Sequence, residues 1–342
     1  MESPSKFELH YYLADNSHSM NALVRNKCEA EFIAVAIEVA EILGVHLDFD
    51  CEALQEGGVR EVWKALGENS AQIALVISTL ALIWSVIPKT DQELVDLQKE
   101  DLRLSIEQRK HALGQIKEDV ENNRVTPETI ESAAKIASRS YKVVTRKSNF
   151  YKTLSTYEKV TQVGYRELSA EGKALSIERI IGRDEFPKFI LTSYDLEPLK
   201  DTTAHIEIVA PVLIDGKAKW KGIYDGQPIS FSMNDKEFKM AVVSKQKSFK
   251  NGDAIICVLH IHKKVDELGD IVTSGYSVEV VLENVSSGVS GETVQGKRYR
   301  HTKKMKDSQN DMFSQDNASN QAIKYAPFGR PTLASSRGLW RR

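Results

Sequence analysis

Only three cysteines, Cys28, Cys51 and Cys257, occur in 342 residues, and no pair has CxxC spacing. That excludes a disulfide framework and a thiolate zinc centre, and it suits a reducing cytoplasm. Signatures of nucleotide and hydrolytic chemistry are missing as well. There is no GxxxxGKS/T, no GxGxxG after a strand, no GxSxG, no HExxH and no DFG-type motif. Familiar NTPases, kinases, Rossmann oxidoreductases, zincins and serine hydrolases are thereby disfavoured, and a non-enzymatic role without a cofactor is expected. The opening MESPSKFELHYYL has neither the positive n-region nor the apolar h-region of a secretory signal. Charge of one sign is lacking too, the net value being only −2.

Against these absences stands one long apolar run. From Asn69 to Pro88 there is no charged residue, and Ile73 to Ile87 is apolar except at Ser78, Thr79 and Ser85. A membrane-spanning helix needs roughly 18 to 25 mostly apolar residues, whereas about 10 to 14 suit a buried or interfacial helix. The run lies between those lengths, so two readings stand. Either Ile73, Leu75, Val76, Ile77, Leu80, Leu82, Ile83, Trp84, Val86 and Ile87 meet lipid, with attachment to an inner membrane, or they form a central buried helix.

Hydrophobic content of 41 % and charged content of 27 % describe an ordinary globular chain, long enough for two or three domains. Phe7, Leu9, Tyr11 and Leu13 alternate with polar residues as in a strand, a helix follows to Gly44, and Leu47, Phe49 and Cys51 alternate again. Residues 1–58 thus read as a small β–α–β unit whose sheet needs a further strand from elsewhere. Residues 59–170 read as a helical region that begins with a short helix at Arg60 to Leu66 and includes the apolar helix at 71–88. Thr126-Pro127 marks a helix start within it. From 186 to 285 about seven short strands with turns such as Asp225-Gly226 and Asn251-Gly252 predict an antiparallel barrel or sandwich. Residues 286–342, rich in Ser, Asn, Gln and Lys, read as a flexible basic tail. The fold class is therefore α+β.

Several groupings carry chemistry. Lys135, Arg139, Lys142 and Arg146 recur at helical spacing between Glu131 and Glu158, where no acid occurs, and Lys147 extends them. Such a stripe suits phosphate or lipid headgroups, or else a solvated face. Lys219, Trp220, Lys221 and Tyr224 surround a hairpin turn and match a stacking, anionic ligand, although such aromatics also serve as core. Lys297 to Lys306 (KRYRHTKKMK) is a basic arm for nucleic acid or an anionic membrane. His260 and His262, with His205 or Asp253, have a permissive metal spacing better explained by an exposed strand face, so no metal is expected. Asp15, His18, Arg25 and Glu29 cluster at the first helix start, where capping and an ion pair between Arg25 and Glu29 explain them.

The layout of an apolar helix, a helical relay and a C-terminal barrel loosely resembles bacterial immune effectors in which a barrel senses a signal and a membrane segment damages the cell. That resemblance is one of architecture and assigns no residue a role. It implies a membrane-associated effector or interaction protein in antiviral defence, with membrane lipid, a second copy of itself or a small ligand on the β-domain as partner. The alternative is a soluble, oligomeric nucleic-acid-binding protein that uses the basic stripe and the basic arm.

Overall fold

The computed structural model describes residues 2–15, 17–52, 59–85, 106–214, 216–286 and 288–306. The chain divides into two compact units, one of residues 1–199 with 261–275, the other of residues 200–260 with 276–342.

The first unit is built on a five-stranded antiparallel sheet. β1 (Lys6–Leu13) lies at its centre, and the order is β2 (Asp48–Glu52), β3 (Val59–Leu66), β1, β4 (Val160–Leu168), β5 (Arg179–Gly182). β1 and β2 flank helix α1 (Ala22–Leu43) in sequence, yet β3 lies between them, so they do not pair with each other. The missing sheet partners come from residues 59–66 and 160–168, both inside the stretch expected to be helical. Val59, Val62, Trp63 and Ala65 are buried in β3, and this burial on both faces erases the alternation that would mark a strand.

Helices pack on one face of the sheet: α1, α2 (Ser70–Ser85), α3 (Ile106–Glu121), α4 (Pro127–Ala137) and α5 (Tyr141–Ser155). Asn21, rather than Asp15 or a serine, caps α1 by accepting from the amides of Leu23 and Val24, and Gly44 ends it at φ +69°. Thr126 caps α4, with Pro127 in its first turn. The chain breaks between α4 and α5 at residues 138–140.

The apolar helix is the core of this unit. Leu75, Val76, Ile77, Leu80, Ile83 and Trp84 are 0–4 % exposed, and Ile73 and Leu82 are half-buried against the same cluster. Trp84 stacks on Phe32 at 5.6 Å and on Tyr165 at 5.6 Å, and meets Phe150 edge-on at 4.8 Å. Among the described residues no helix is long and apolar enough to cross a membrane. The expected lipid contact of these eight side chains is therefore corrected to protein contact: a helix apolar all round is equally suited to a domain interior. Val86 and Ile87 lie outside the described residues.

The C-terminal half of the chain holds a closed five-stranded barrel. β6 (Leu199–Ala210), β7 (Trp220–Tyr224), β8 (Gln227–Met233), β9 (Ala254–Val265) and β10 (Ile271–Ser286) join in the ring β6-β7-β8-β10-β9, which closes on β6. β8 and β10 run parallel, and β7 is antiparallel to both of its neighbours. A helix, α6 (Lys236–Val243), connects β8 to β9. The sequence pattern predicts a strand over residues 239–243, but Asp235 accepts from the Phe238 amide at 2.9 Å and from the Val281 amide at 2.8 Å, starting a helix and tying it to β10. Residues 183–189 likewise form a 3-10 helix where the pattern predicts a strand beginning at Phe189.

Trp220, Phe231 and Phe238 are 0–1 % exposed and, with Phe249, fill the barrel interior. Gly222 permits this: a Cβ there would stand 2.6 Å from both Ile206 Cγ2 and the Glu207 carbonyl oxygen. At the β7–β8 hairpin Asp225 and Gly226 both take positive φ, 50° and 72°, the turn that Asp-Gly favours. Beyond the barrel, β11 (Val289–Glu292) pairs with β10, and residues 294–306 form helix α7. Residues 288–306 of the expected flexible tail thus form β11 and α7, and residues 307–342 lie outside the described residues.

Candidate functional site

The outer surface of β6, β7 and β8 follows from strand alternation. Trp220, Gly222, Ile229, Phe231 and Met233 point inward, which turns Lys221, Ile223, Pro228 and Ser230 outward. Register places Lys221 opposite Ser230 and Ile223 opposite Pro228. An irregularity between Ile208 and Ala210 leaves Val209 63 % exposed, and the following connection carries Leu213 and Ile214, 65 % and 71 % exposed. Lys217 and Lys219 complete that connection, both exposed. The Lys239 ammonium donates to the Gly216 carbonyl at 2.8 Å and so holds the connection against α6. One surface therefore presents lysines interleaved with exposed aliphatic side chains.

Helix α7 adds cations to the same unit. Thr293 caps it, accepting from the Gly296 amide at 2.9 Å while its hydroxyl donates to the Val281 and Leu282 carbonyls. Arg298 pairs with Glu237 at 2.8 Å, and Arg300 pairs with Glu292 at 2.8 Å and with Glu283. Lys297, His301, Lys303 and Lys306 are exposed. By sequence this unit carries 20 Lys and Arg against 13 Asp and Glu, whereas the first unit carries 26 against 35. The near-zero net charge of the whole chain conceals a cationic and an anionic half.

Of the four side chains expected to hold a ligand on this domain, Lys219 and Lys221 are exposed, Tyr224 is half-buried and Trp220 is enclosed. Trp220 is a core residue, 1 % exposed. Tyr224 donates to Asp201 at 2.9 Å and contacts Tyr276 edge-on, and burial with that carboxylate pushes its pKa up to about 12. His260 is 3.7 Å from Glu279, and no group of side chains among the described residues is arranged to hold a metal.

In the first unit the basic stripe is divided. Lys135 is exposed at the end of α4, Arg139 lies in the connection, and Lys142, Arg146 and Lys147 belong to α5. Arg146 pairs with Glu31 at 3.2 Å, and Lys142 lies 3.8 Å from Glu38 and 3.7 Å from Asp270. Lys147 is buried, donates to the Ile83 carbonyl at 2.7 Å and sits 4.8 Å from the centre of the Phe189 ring. Arg146 and Lys147 are thus engaged within the unit, Arg146 by an acid distant in sequence and Lys147 by a carbonyl and an aromatic ring, while Lys142 remains half exposed.

Two polar groups escaped sequence reasoning. Glu61 is wholly buried on β3, and its Oε1 accepts from Arg25 Nε at 2.6 Å. Arg25 therefore pairs across 36 residues and not with Glu29. Burial pushes the Glu61 pKa up to about 7, against the opposing pull of Arg25. On the opposite face of the sheet His10, also buried, lies 3.1 Å from Glu178, which reaches it by crossing Gly164. Burial, and then the charge of Arg60, holds the His10 pKa below its ordinary value. Alternation along β1 signalled two faces, but not which charged residues would be enclosed, and β3 carried no alternation to read. Asp15 is engaged by Lys159 at 2.8 Å.

No protein-family model matches the chain, and no curated protein or solved structure is significantly similar to it.

Proposed function

We propose that this protein binds single-stranded nucleic acid on the β6–β7–β8 surface of its barrel, with α7 extending the contact. The observation that carries the reading is the ring itself. Five strands closed in the order first, second, third, fifth, fourth, with a helix between the third and fourth, have the topology of an OB-fold, whose second and third strands and adjoining loops bind oligonucleotides or oligosaccharides. This is an analogy of fold, so the choice of ligand rests on the residues. The excess of Lys and Arg in the unit favours a polyanion over a neutral sugar. Lys221 projects outward from β7 and Lys219 is exposed in the connection that leads into it, so two cations stand at the start of the strand along which an extended polyanion would lie. Val209, Leu213, Ile214 and Ile223 offer apolar surface to unstacked bases, which a duplex does not present.

The membrane-effector reading, which the sequence puts first, depended on the apolar run reaching lipid. Its described part is enclosed by protein, so that reading has lost the feature that motivated it.

The test is fluorescence anisotropy of a labelled oligothymidylate of about 16 nucleotides, near the upper site size of one such barrel. Affinity is expected to fall steeply between about 50 and 200 mM salt. Replacing Lys219 and Lys221 together by Ala is expected to make the log–log salt slope shallower by roughly 1.4, about 0.7 for each phosphate that is no longer neutralised. Absence of binding at the lowest salt, or a slope that the double replacement leaves unchanged, refutes the reading.

A further inference from the structure

The first unit contains an open cavity of about 540 Å³, formed by α1, α3, the α4–α5 connection and residues 269–271. We propose that it binds an amphipathic small molecule with an apolar body and one negative group, a carboxylate, sulfonate or phosphate ester. Its volume lies in the usual range of ligand sites, roughly 300 to 1,000 Å³. Ile42, Leu113, Ile136 and Ile271 supply an apolar wall, and Arg139 and Lys142 supply the cations.

The polar end has a second source of positive potential. Helix α5 begins at this cavity, and its N-cap residue Ser140 makes no side-chain capping bond; its hydroxyl instead donates to Glu38 Oε1 at 2.8 Å. The first-turn amides of α5 therefore receive no acceptor from the Ser140 side chain, and a 15-residue helix carries about half a positive charge at that end. Glu38 and Asp270 also line the cavity, so the four side-chain charges balance and the helix end leaves a modest positive excess. That selects one negative group over several. Lys142 stands 3.8 Å from Glu38 and 3.7 Å from Asp270, beyond hydrogen-bond length, so its donors remain directed by charge alone. Gly269, at φ +91°, fixes the wall opposite: a Cβ there would lie 2.4 Å from Lys142 Cα, so only glycine lets the turn approach α5 this closely.

The experiment titrates the full-length protein with 1-anilinonaphthalene-8-sulfonate, then displaces the probe with decanoate or with decanol. Saturable one-to-one binding is expected, displaced by decanoate and far less by decanol. Arg139→Met with Lys142→Met keeps the aliphatic stems and is expected to weaken the probe at least about tenfold, the value of one charge-assisted hydrogen bond. The single Arg139→Met variant, at a half-exposed position, gives an intermediate loss if the double variant is unfolded by circular dichroism. Leu213→Ser with Ile214→Ser, on the barrel, is expected to leave probe binding unchanged. The proposal is overturned if the wild type shows no saturable binding, if the methionine variants bind as the wild type does, if decanol competes equally, or if the barrel variant abolishes binding.

Discussion

Glu61 makes stability depend on pH in a direction opposite to that of an ordinary surface carboxylate. Its side chain is wholly buried, with the Arg25 guanidinium, itself 30 % exposed, as its charged partner. Around it stand Cys28 and Glu29 of α1, Tyr11 of β1 and Cys51 of β2. Burial raises its pKa from 4.5 to about 7 in the folded state. The folded chain therefore holds a proton that the unfolded chain releases between those values. This contribution to stability is complete below pH 4.5 and is lost as pH rises through 7. At 1.36 kcal/mol per unit, the full shift corresponds to about 3 kcal/mol as an upper bound, a large share of the roughly 5 to 15 kcal/mol that holds a domain together. The assay is urea unfolding of the wild type and Glu61→Gln at pH 5 and pH 8. Glutamine keeps the shape and removes the titration, so comparing the two proteins cancels every other group, including His10, whose lowered pKa acts in the same pH range. The wild type is expected to lose about 2 to 3 kcal/mol more than the variant between the two pH values. Equal pH dependence in both proteins refutes the argument.

Two further predictions concern packing. Leu80→Ala, at 0 % exposure in α2, is expected to lower unfolding free energy by about 2 to 5 kcal/mol in detergent-free buffer, read by chemical denaturation, because it leaves a cavity in a protein core. A helix whose Leu80 faced lipid would show little change, and an unaltered midpoint would reject the core assignment. Gly222→Ala is expected to cost about 1 to 3 kcal/mol by forcing Ile206 and the β6 backbone apart, and tryptophan fluorescence of the neighbouring Trp220 should shift with it. An alanine variant of wild-type stability would show that the barrel wall yields freely there.

Part of the candidate site was legible in the sequence. Lys219 and Lys221, read as cations beside a hairpin turn, are exposed; the Asp225-Gly226 turn that joins β7 to β8 is a local signal carried by two residues. Trp220 reads as ligand-facing but lies in the core, because alternation fixes only that its neighbours point the other way, not which face becomes the interior. The aliphatic group of Val209, Leu213 and Ile214 was invisible, since exposure of an apolar residue is settled by what packs against it. The basic stripe is not one continuous helix face for a like reason: its periodicity crosses a helix break at residues 138–140, and the acids Glu31 and Glu38 that meet Arg146 and Lys142 lie about a hundred residues earlier.

Local chemistry was enough to specify the N-cap of α4, the left-handed Gly44, the strand character of β1 and the run of short strands that became a barrel. Those features depend on a few neighbouring residues and their backbone preferences. Three matters were decided only when distant segments met. The apolar run became a core helix because α1, α5 and the sheet enclosed it, a choice that hydropathy leaves open. Residues 59–66 and 160–168 became strands because β1 needed a neighbour on each edge, and tertiary pairing overrode their helical pattern. Glu61 acquired its raised pKa, and the two halves their opposite charge, from burial and from the path of the chain between units, which no window of sequence records.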